Sequence, residues 1–399
     1  MNHWNYVALG DICTVERGGS PRPIDDFITT ESDGINWIKI GDVAVGEIGD
    51  TDESMYITKT AQKIKPEGMK KSRYVKPGDF LLSNSMSFGR PYILKIDGCI
   101  HDGWLVLRDE NNVFDKKFLY YYLSAPITYE KFKSMAVGGV VNNLNSDMVR
   151  KIRVPLPSKQ EQRDIADSLD KITNLHFLRK QQLAKLDELV KARFVEMFGD
   201  AKLNPYDFPC NSLSEYILFL TSGSRGWSRY FTDSGEYFIT IKNVKNCRIT
   251  LQDVQYVTPP DNAEAKRTKV QENDLLISIT ADLGRTGVVT KRIAEHGAYI
   301  NQHLTCIRLN LKKANPIYVA YYMESDAGKE QFASKNQSAV KAGLNFNAIN
   351  SLKLVVPPLD LQNDFAAFVE CVDQQKQTIQ QSLDKLELMK KALMQEYFG

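Results

Sequence analysis

The strongest constraint on how this chain can fold is that much of it is written twice. Residues 183–199, LAKLDELVKARFVEMFG, align without gaps at an offset of 200 with residues 383–399, LDKLELMKKALMQEYFG, and eight of the 17 positions are identical. The same offset matches Val140 with Val340, Leu144-Asn145 with Leu344-Asn345, Pro157 with Pro357, Gln162 with Gln362 and Asp164 with Asp364. Upstream it drifts to 195, where VKPGDFLLSNSMSFGR (75–90) meets VQENDLLISITADLGR (270–285). It is 201 for GINWIKIGDV (34–43) against GEYFITIKNV (235–244), and 204 for Leu9 and Gly19-Ser20 against Leu213 and Gly223-Ser224. Insertions in surface loops produce drift of this kind. A repeat specifies architecture more firmly than any short motif: each half is a variable unit of about 150 residues followed by a better-matched unit of about 40.

In the long units, short β-rich runs (92–96, 105–107, 287–290, 305–309) are broken by Gly, Pro, Asn and Asp clusters, with short helical segments near 118–123 and 318–323. This predicts α+β globules. In the short units the period changes to seven: Phe365, Val372, Ile379, Leu386 and Leu393, with Phe368 and Met389 on a complementary seam. The first copy repeats the pattern through Ile165, Leu169, Ile172, Leu175, Leu183, Leu186, Val190 and Met197. Each helix follows a proline-containing segment, VPLPSKQEQ or VVPPLDLQN, and ends at Phe-Gly. A long amphipathic helix needs a partner for its apolar stripe. The two helices can supply each other as an antiparallel coiled coil, placing two similar α+β domains in an internal pseudo-twofold repeat of about 200 residues. The expected division is 1–157 and 201–357 for the globules, and 158–200 and 358–399 for the helices.

Composition removes several classes. No run of about 18 apolar residues occurs and the first ten residues lack the regions of a signal peptide, so a cytoplasmic protein without a membrane partner is expected. Six scattered cysteines with no CxxC pair point away from a zinc site or a disulfide framework. A net charge of +2 names no partner by itself.

In this order and at this period, the residues resemble the specificity (S) subunits of Type I restriction-modification systems. The marks are Trp37-Ile38 in GINWIKIGDV, KPGDFLLSNSMSFGR, Gly-Ser-Pro at 19–21, Asn301-Gln302 in YINQHLTCIRL, and Pro157/Gln162 with Pro357/Gln362. The second half departs from the first where it has Asn301-Gln302 against His101-Asp102, and Asn273-Asp274 in place of Gly-Asp. The resemblance implies a non-catalytic DNA reader with two target recognition domains, each reading one half of a bipartite double-stranded target. It implies spacer helices that set the gap and hold two modification (M) subunits. S-adenosylmethionine is expected on those subunits, and ATP and Mg on restriction (R) subunits, with no cofactor or metal on this chain. Because the long units differ in sequence, the two half-sites should differ. The competing readings are a self-contained methyltransferase or nuclease, and a two-headed protein scaffold.

Apparent catalytic motifs fail on spacing. Two residues between Asp261 and Glu264 in PDNAEAK are too few for a nuclease PD…ExK site, and a solvated loop is expected. Asn204-Pro205-Tyr206 lacks the second proline of the motif that holds a flipped adenine, which leaves a turn after the helix. No P-loop occurs. DNA contacts are expected from Arg, Lys, Asn, Gln, Ser and Thr in loops, because guanine is read by forked Arg donors and adenine by amides. In the first half these are Arg17, Ser20, Arg22, Lys39, Ser85, Arg90, Asn142, Asn143 and Asn145. In the second they are Ser224, Arg225, Arg229, Lys242, Lys245, Thr280, Arg285, Lys335, Gln337, Lys341 and Asn345. The shared pairs Arg90/Arg285 and Asn145/Asn345 suit phosphate positioning or holding the fold. His101 and His303 are open to DNA contact or to a local hydrogen bond. Phe194, Met197, Phe198, Met394, Tyr397 and Phe398 exceed what one helix seam needs, and are expected to bind M subunits or cap the recognition domains.

Overall fold

The computed structural model describes residues 4–43, 53–84, 89–136, 143–335 and 343–399; Ser85, Asn142, Gln337, Lys341 and the Val140/Val340 match lie outside them. Two compact units divide the chain, one of Met1–Leu183 with Thr378–Gly399, the other of Ala184–Gln377. Each therefore holds one globule, part of one long helix and part of the other.

The first unit contains two five-stranded sheets. One runs Ile28–Thr29, Gln62–Ile64, Ile35–Ile38, Gly98–Ile100, Arg73–Val75; the other Thr14–Arg17, Trp104–Arg108, Phe80–Ser83, Pro91–Leu94, Tyr56–Ile57. The second unit has two four-stranded counterparts. These run Phe231–Thr232, Gln255–Val257, Glu236–Ile239, Ala298–Ile300, and Ile217–Ser222, Leu304–Leu309, Leu275–Ser278, Thr286–Val288. In both, a parallel pair sits inside otherwise antiparallel neighbours: Trp37 opposite Cys99 in one, Phe238 opposite Tyr299 in the other. The central strands Trp104–Arg108 and Leu304–Leu309 are almost wholly buried, as suits the apolar run WLVL and a second run, LTCIRL, in which Thr305 is also buried and Arg308 half-buried.

Helix Lys116–Ser124 starts where the Asp115 carboxylate accepts the amides of Lys117 and Phe118, and all of Phe118–Leu123 is buried. Its counterpart Pro316–Glu324 uses Asn315 as cap and proline in the first turn, where the missing N–H removes nothing.

The shared Pro and Gln at the helix entrances have a structural reason. Gln162 is buried, and its Oε1 accepts the Asp115 amide at 2.6 Å while its Nε2 donates to the Pro157 carbonyl at 3.1 Å. Gln362 does the same to Asn315 and Pro357, at 2.9 and 2.8 Å. One amide thus joins the start of each long helix to the cap of the globule's own helix. The Gly-Asp block has a similar explanation. Asp79 accepts the Lys76 amide and pairs with Arg108 at 3.1 Å; Asp274 accepts the Gln271 amide and holds Arg308 by two bonds of 2.8 Å. Asn273 takes the left-handed conformation, φ +69°, that Gly78 has at +91°. Asparagine tolerates that region, so the departure in sequence keeps the backbone.

The long helices run Lys159–Phe198 and Leu359–Phe398, 40 residues each, or about 60 Å at 1.5 Å per residue. Within each unit they pack antiparallel. In the second, Phe194 and Phe198 meet Phe365 at 5.4 and 5.5 Å, while farther along Asp187 bonds Lys376. In the first, Ile165, Ala166 and Leu169 share a core with Met394 and Phe398. The buried seam follows Phe365, Val372 and Ile379 as the heptads predict, but its second row falls four residues on, at Val369 and Leu383, with the half-buried Lys376 between them. Met389 and Leu175, assigned to the seam from the sequence, are 54% and 48% exposed.

Of the two roles expected for the aromatic surplus, burial favours capping the globules. Phe194, Phe198, Met394 and Phe398 are 6%, 4%, 9% and 3% exposed, which closes them to any partner; Met197 and Tyr397 are partly buried against the same cores. Phe398 lies edge-on to Phe118 and Tyr122 at 5.7 and 5.5 Å, and Phe194 stacks on Tyr318 at 5.8 Å. They cap the globules. Phe198→Ala and Phe398→Ala should therefore each destabilise by about 3–5 kcal/mol in urea unfolding. Val195→Ala, on a side chain 57% exposed, should stay within about 0.5 kcal/mol.

Candidate nucleic-acid interface

In each unit several segments converge on the turn between the short parallel strand and the central antiparallel strand. In the first, Gly18 N–H donates to the Trp104 carbonyl (2.9 Å), Gly19 to Ile100 (3.2 Å), His101 to Ile38 (3.1 Å), Asn84 to Gly103 (3.0 Å) and Leu144 to Asn84 (3.0 Å). In the second, Gly223 donates to Leu304 (3.1 Å), Ser224 to Ile300 (2.8 Å), Asn301 to Ile239 (3.0 Å), Ile279 to His303 (3.0 Å) and Leu344 to Ile279 (2.9 Å). The two frames match bond for bond. Glycine is required where the chain crosses the turn, since a Cβ on Gly18 or Gly223 would run into the backbone carbonyls of 100–101 or 300–301.

These bonds correct the sequence alignment by one residue. Leu9 and Leu213 both donate to the end of the equivalent helix turn, Ile152 and Leu352, at offset 204. Gly18 then matches Gly223, at 205. The extra residue is Leu218, where a β-bulge interrupts the pairing of Ile217 and Phe219 with Leu309 and Arg308; Leu218 is 66% exposed. Ser224 is consequently the counterpart of Gly19, and Arg225 that of Ser20. Ser224 is 2% exposed and its hydroxyl is bonded to Thr268 at 2.9 Å, which shuts its side chain away from a duplex.

In the first unit the turn gathers Arg17, Ser20 and Arg22 around Asp102. Ser20 Oγ donates to the carboxylate at 3.0 Å, Arg22 lies 3.4 Å from it, His101 Nε2 3.0 Å, and Arg17 Nε donates to the Asp102 carbonyl at 3.1 Å. Asn84 Nδ2 donates to the same carbonyl at 2.9 Å. Partial burial raises the Asp102 carboxyl, but His101, the Ser20 hydroxyl, Arg17 and Arg22 together outweigh it and hold the group below its ordinary value. At neutral pH the turn thus carries an anion flanked by two arginines. Asp102 is neither a donor nor a cation, so loop composition does not mark it; the signal in the sequence is the His101-Asp102 departure itself. His101 also accepts the Gly103 amide at 2.9 Å, and His303 bonds Thr280 at 2.8 Å, so both histidines make local bonds.

The remaining candidates lie on the surface or perform other tasks. Lys39 donates to Gln62 at 2.8 Å. Asn145 and Asn345 are helix caps, accepting the amides of Met148 and Ala348 at 2.9 and 2.8 Å. The amides of Arg90 and Arg285 close loops on the Ser83 and Ser278 hydroxyls, and the Arg285 side chain pairs with Asp282 at 2.5 Å. Arg225, Lys242, Lys245 and Asn143 are exposed, Arg229 lies over the Tyr230 ring at 4.8 Å, and Lys335 is half-buried at the end of helix Asp326–Lys335.

The motifs set aside on spacing fold as ordinary structure. Glu264 belongs to the short helix Ala263–Thr268 rather than a loop and accepts the Trp227 indole at 3.3 Å, while Asp261 pairs with Lys266 at 3.1 Å in solvent. Asn204 closes a turn through two bonds to Phe208, at 2.8 and 3.1 Å. Among the described residues no helix is long and apolar enough to cross a membrane.

The model of a family described as the Type I restriction modification DNA specificity domain matches residues 1–188 and again 229–388, and the chain belongs to this family. It is 24% identical over 414 residues to the MjaX specificity subunit of Methanocaldococcus jannaschii, covering 98% of this chain and 92% of that one. To the type I restriction enzyme EcoKI specificity subunit of Escherichia coli K12 it is 21% identical over 406 residues, covering 96% and 84%. Among solved structures, a chain from work on assembly and conformational transition of the type I R-M system aligns with a TM-score of 0.62 at 15% identity, over 99% of this chain and 97% of that one. The Type I restriction-modification S subunit from M. genitalium aligns with a TM-score of 0.57 at 16% identity, over 100% and 97%. These structural likenesses establish the fold. Family membership makes the chain a DNA sequence-recognition protein with no catalytic role of its own.

Ser224→Ala should lower stability by about 1 kcal/mol, from the loss of one buried hydroxyl pair. It should leave duplex affinity unchanged in a fluorescence-anisotropy titration.

Proposed function

We propose that this chain directs partner methyltransferase subunits, and restriction subunits where present, to an asymmetric bipartite site on double-stranded DNA. The observation that carries the reading is the duplicated frame: two units present the same turn on the same backbone bonds, but with His101-Asp102-Gly103 in one and Asn301-Gln302-His303 in the other. A scaffold repeated with different side chains suits two readers of unlike sequences. Residues 1–157 and 201–357 act as those readers, and 158–200 and 358–399 as spacers that set the gap.

Arg17, Ser20, Arg22, Lys39, Arg90 and Asn143 serve the first half-site; Arg225, Arg229, Lys242, Lys245, Arg285 and Lys335 serve the second. The exposed faces of the long helices, which leave Leu178 56% and Leu388 66% accessible, hold two modification subunits, while the buried aromatics cap the globules. S-adenosylmethionine binds on those subunits, and ATP and Mg on restriction subunits, in the cytoplasm.

Single-molecule methylome sequencing of the host with and without this gene tests the reading. The expected result is an N6-methyladenine motif of two short, unlike half-sites split by an unspecified gap, lost on deletion. Expression together with the methyltransferase partner that yields no new motif rejects it, and a complex that binds other proteins but shifts no duplex favours a protein scaffold. In the assembled complex, Arg225→Ala with Lys245→Ala should weaken binding to all sequences alike and reduce the slope of log affinity against log salt by about 1–2 if both side chains meet phosphates.

A further inference from the structure

The turn at 101–103 holds more charged groups than its fold requires. Each Asp102 carboxylate oxygen is engaged, one by Ser20 Oγ and His101 Nε2 at 3.0 Å each, the other by Arg22 at 3.4 Å, and its carbonyl takes Arg17 at 3.1 Å and Asn84 at 2.9 Å. The Arg22 side chain is 81% exposed, and ion pairs so exposed contribute little to stability. In the second unit the equivalent residue is neutral: Gln302, whose Nε2 faces His303 at 3.2 Å, with Arg225 exposed where the first unit has Ser20. The frame is constant, and the charge at this position differs between the two readers.

Resting on the reading that this turn faces the duplex, we propose that Asp102 is a positioning residue that determines which base the first unit selects, its carboxylate holding the Arg22 guanidinium toward a guanine edge beside an Arg17 that the Asp102 main-chain carbonyl holds. Guanine offers O6 and N7 side by side, which the forked donors of arginine match. Arg17 is fixed through Nε alone, and its terminal amino groups make no bond among the described residues. Arg22 is held through one terminal nitrogen, which leaves its other donors to turn outward. Guanidinium groups oriented in advance lose less side-chain freedom on binding than solvated ones. Asp102 adds a second effect, since a carboxylate beside the groove repels phosphate and penalises docking in which the arginines do not find acceptors.

The test uses the chain assembled with its adenine-methylating partner and a duplex library randomised across both half-sites, with base preference read at every position and the thermal midpoint measured alongside. Asp102→Asn keeps the shape and removes the charge. It should lower the preference for guanine at one base pair of one half-site by about tenfold, with the other half-site and the midpoint unchanged. Asp102→Glu should restore most of the preference. Arg22→Ala should relax the same base pair, and the double variant should be no worse than the weaker single. Unchanged preference in Asp102→Asn, a uniform loss across all sequences, or a lowered midpoint without a change in preference overturns this role. A wild-type complex that selects no bipartite duplex overturns both the role and the reading beneath it.

Discussion

An apolar stripe along a helix of 40 residues cannot be left in water, and the rest of this structure depends on how the two long helices are covered. Each unit closes over the last turns of one helix and the first turns of the other. Phe198 enters beside Tyr318 and Phe365; Phe398 enters between Phe118 and Tyr122. A buried glutamine then joins each helix start to the globule's own helix cap. Ion pairs add direction at intermediate depth: Arg248 binds Asp373 at 2.7 Å, and Lys117 and Tyr121 converge on Asp170 at 2.5 and 2.6 Å. Unlike the exposed pairs on the helix faces, these bridge elements far apart in sequence.

With the helices anchored, the globules are free to differ where they face outward. The frame around each turn is held by backbone bonds and by glycines that no other residue could replace, at Gly18 and Gly223. Neither device depends on the side chains carried by the turn. A protein whose task is to select sequences needs this separation, because changing what is read must not unfold the reader. The strain of insertion is absorbed in the same way: one additional residue in the second unit is accommodated as an exposed bulge at Leu218, and the central pairing resumes beyond it.

The architecture is legible in the sequence, because a repeat leaves matched residues wherever the structure needs one chemistry twice. Pro157/Pro357 with Gln162/Gln362 marked a joint, Asp79/Asp274 a turn with its arginine, and the seven-residue spacing the long helices. The seam is half legible: Met389 is apolar and correctly spaced for one register, yet the second buried row runs through Val369 and Leu383, past the half-buried Lys376. Spacing alone does not decide between neighbouring apolar rows, since that depends on which face the partner helix meets.

The candidate site was less legible. Ser224 has the residue type and loop setting of a DNA contact but is bonded inward to Thr268, and an acid such as Asp102 is not an expected neighbour of DNA until its arginines are seen around it. The sequence by itself determined the duplication, the α+β class, the long helices and the family, since each is written in periodicity and in the order of local motifs. Only the tertiary structure decided which polar side chains are bonded inward and which remain outward, because burial and hydrogen bonding are set by segments tens of residues apart, as when Arg17, Ser20 and Arg22 meet Asp102.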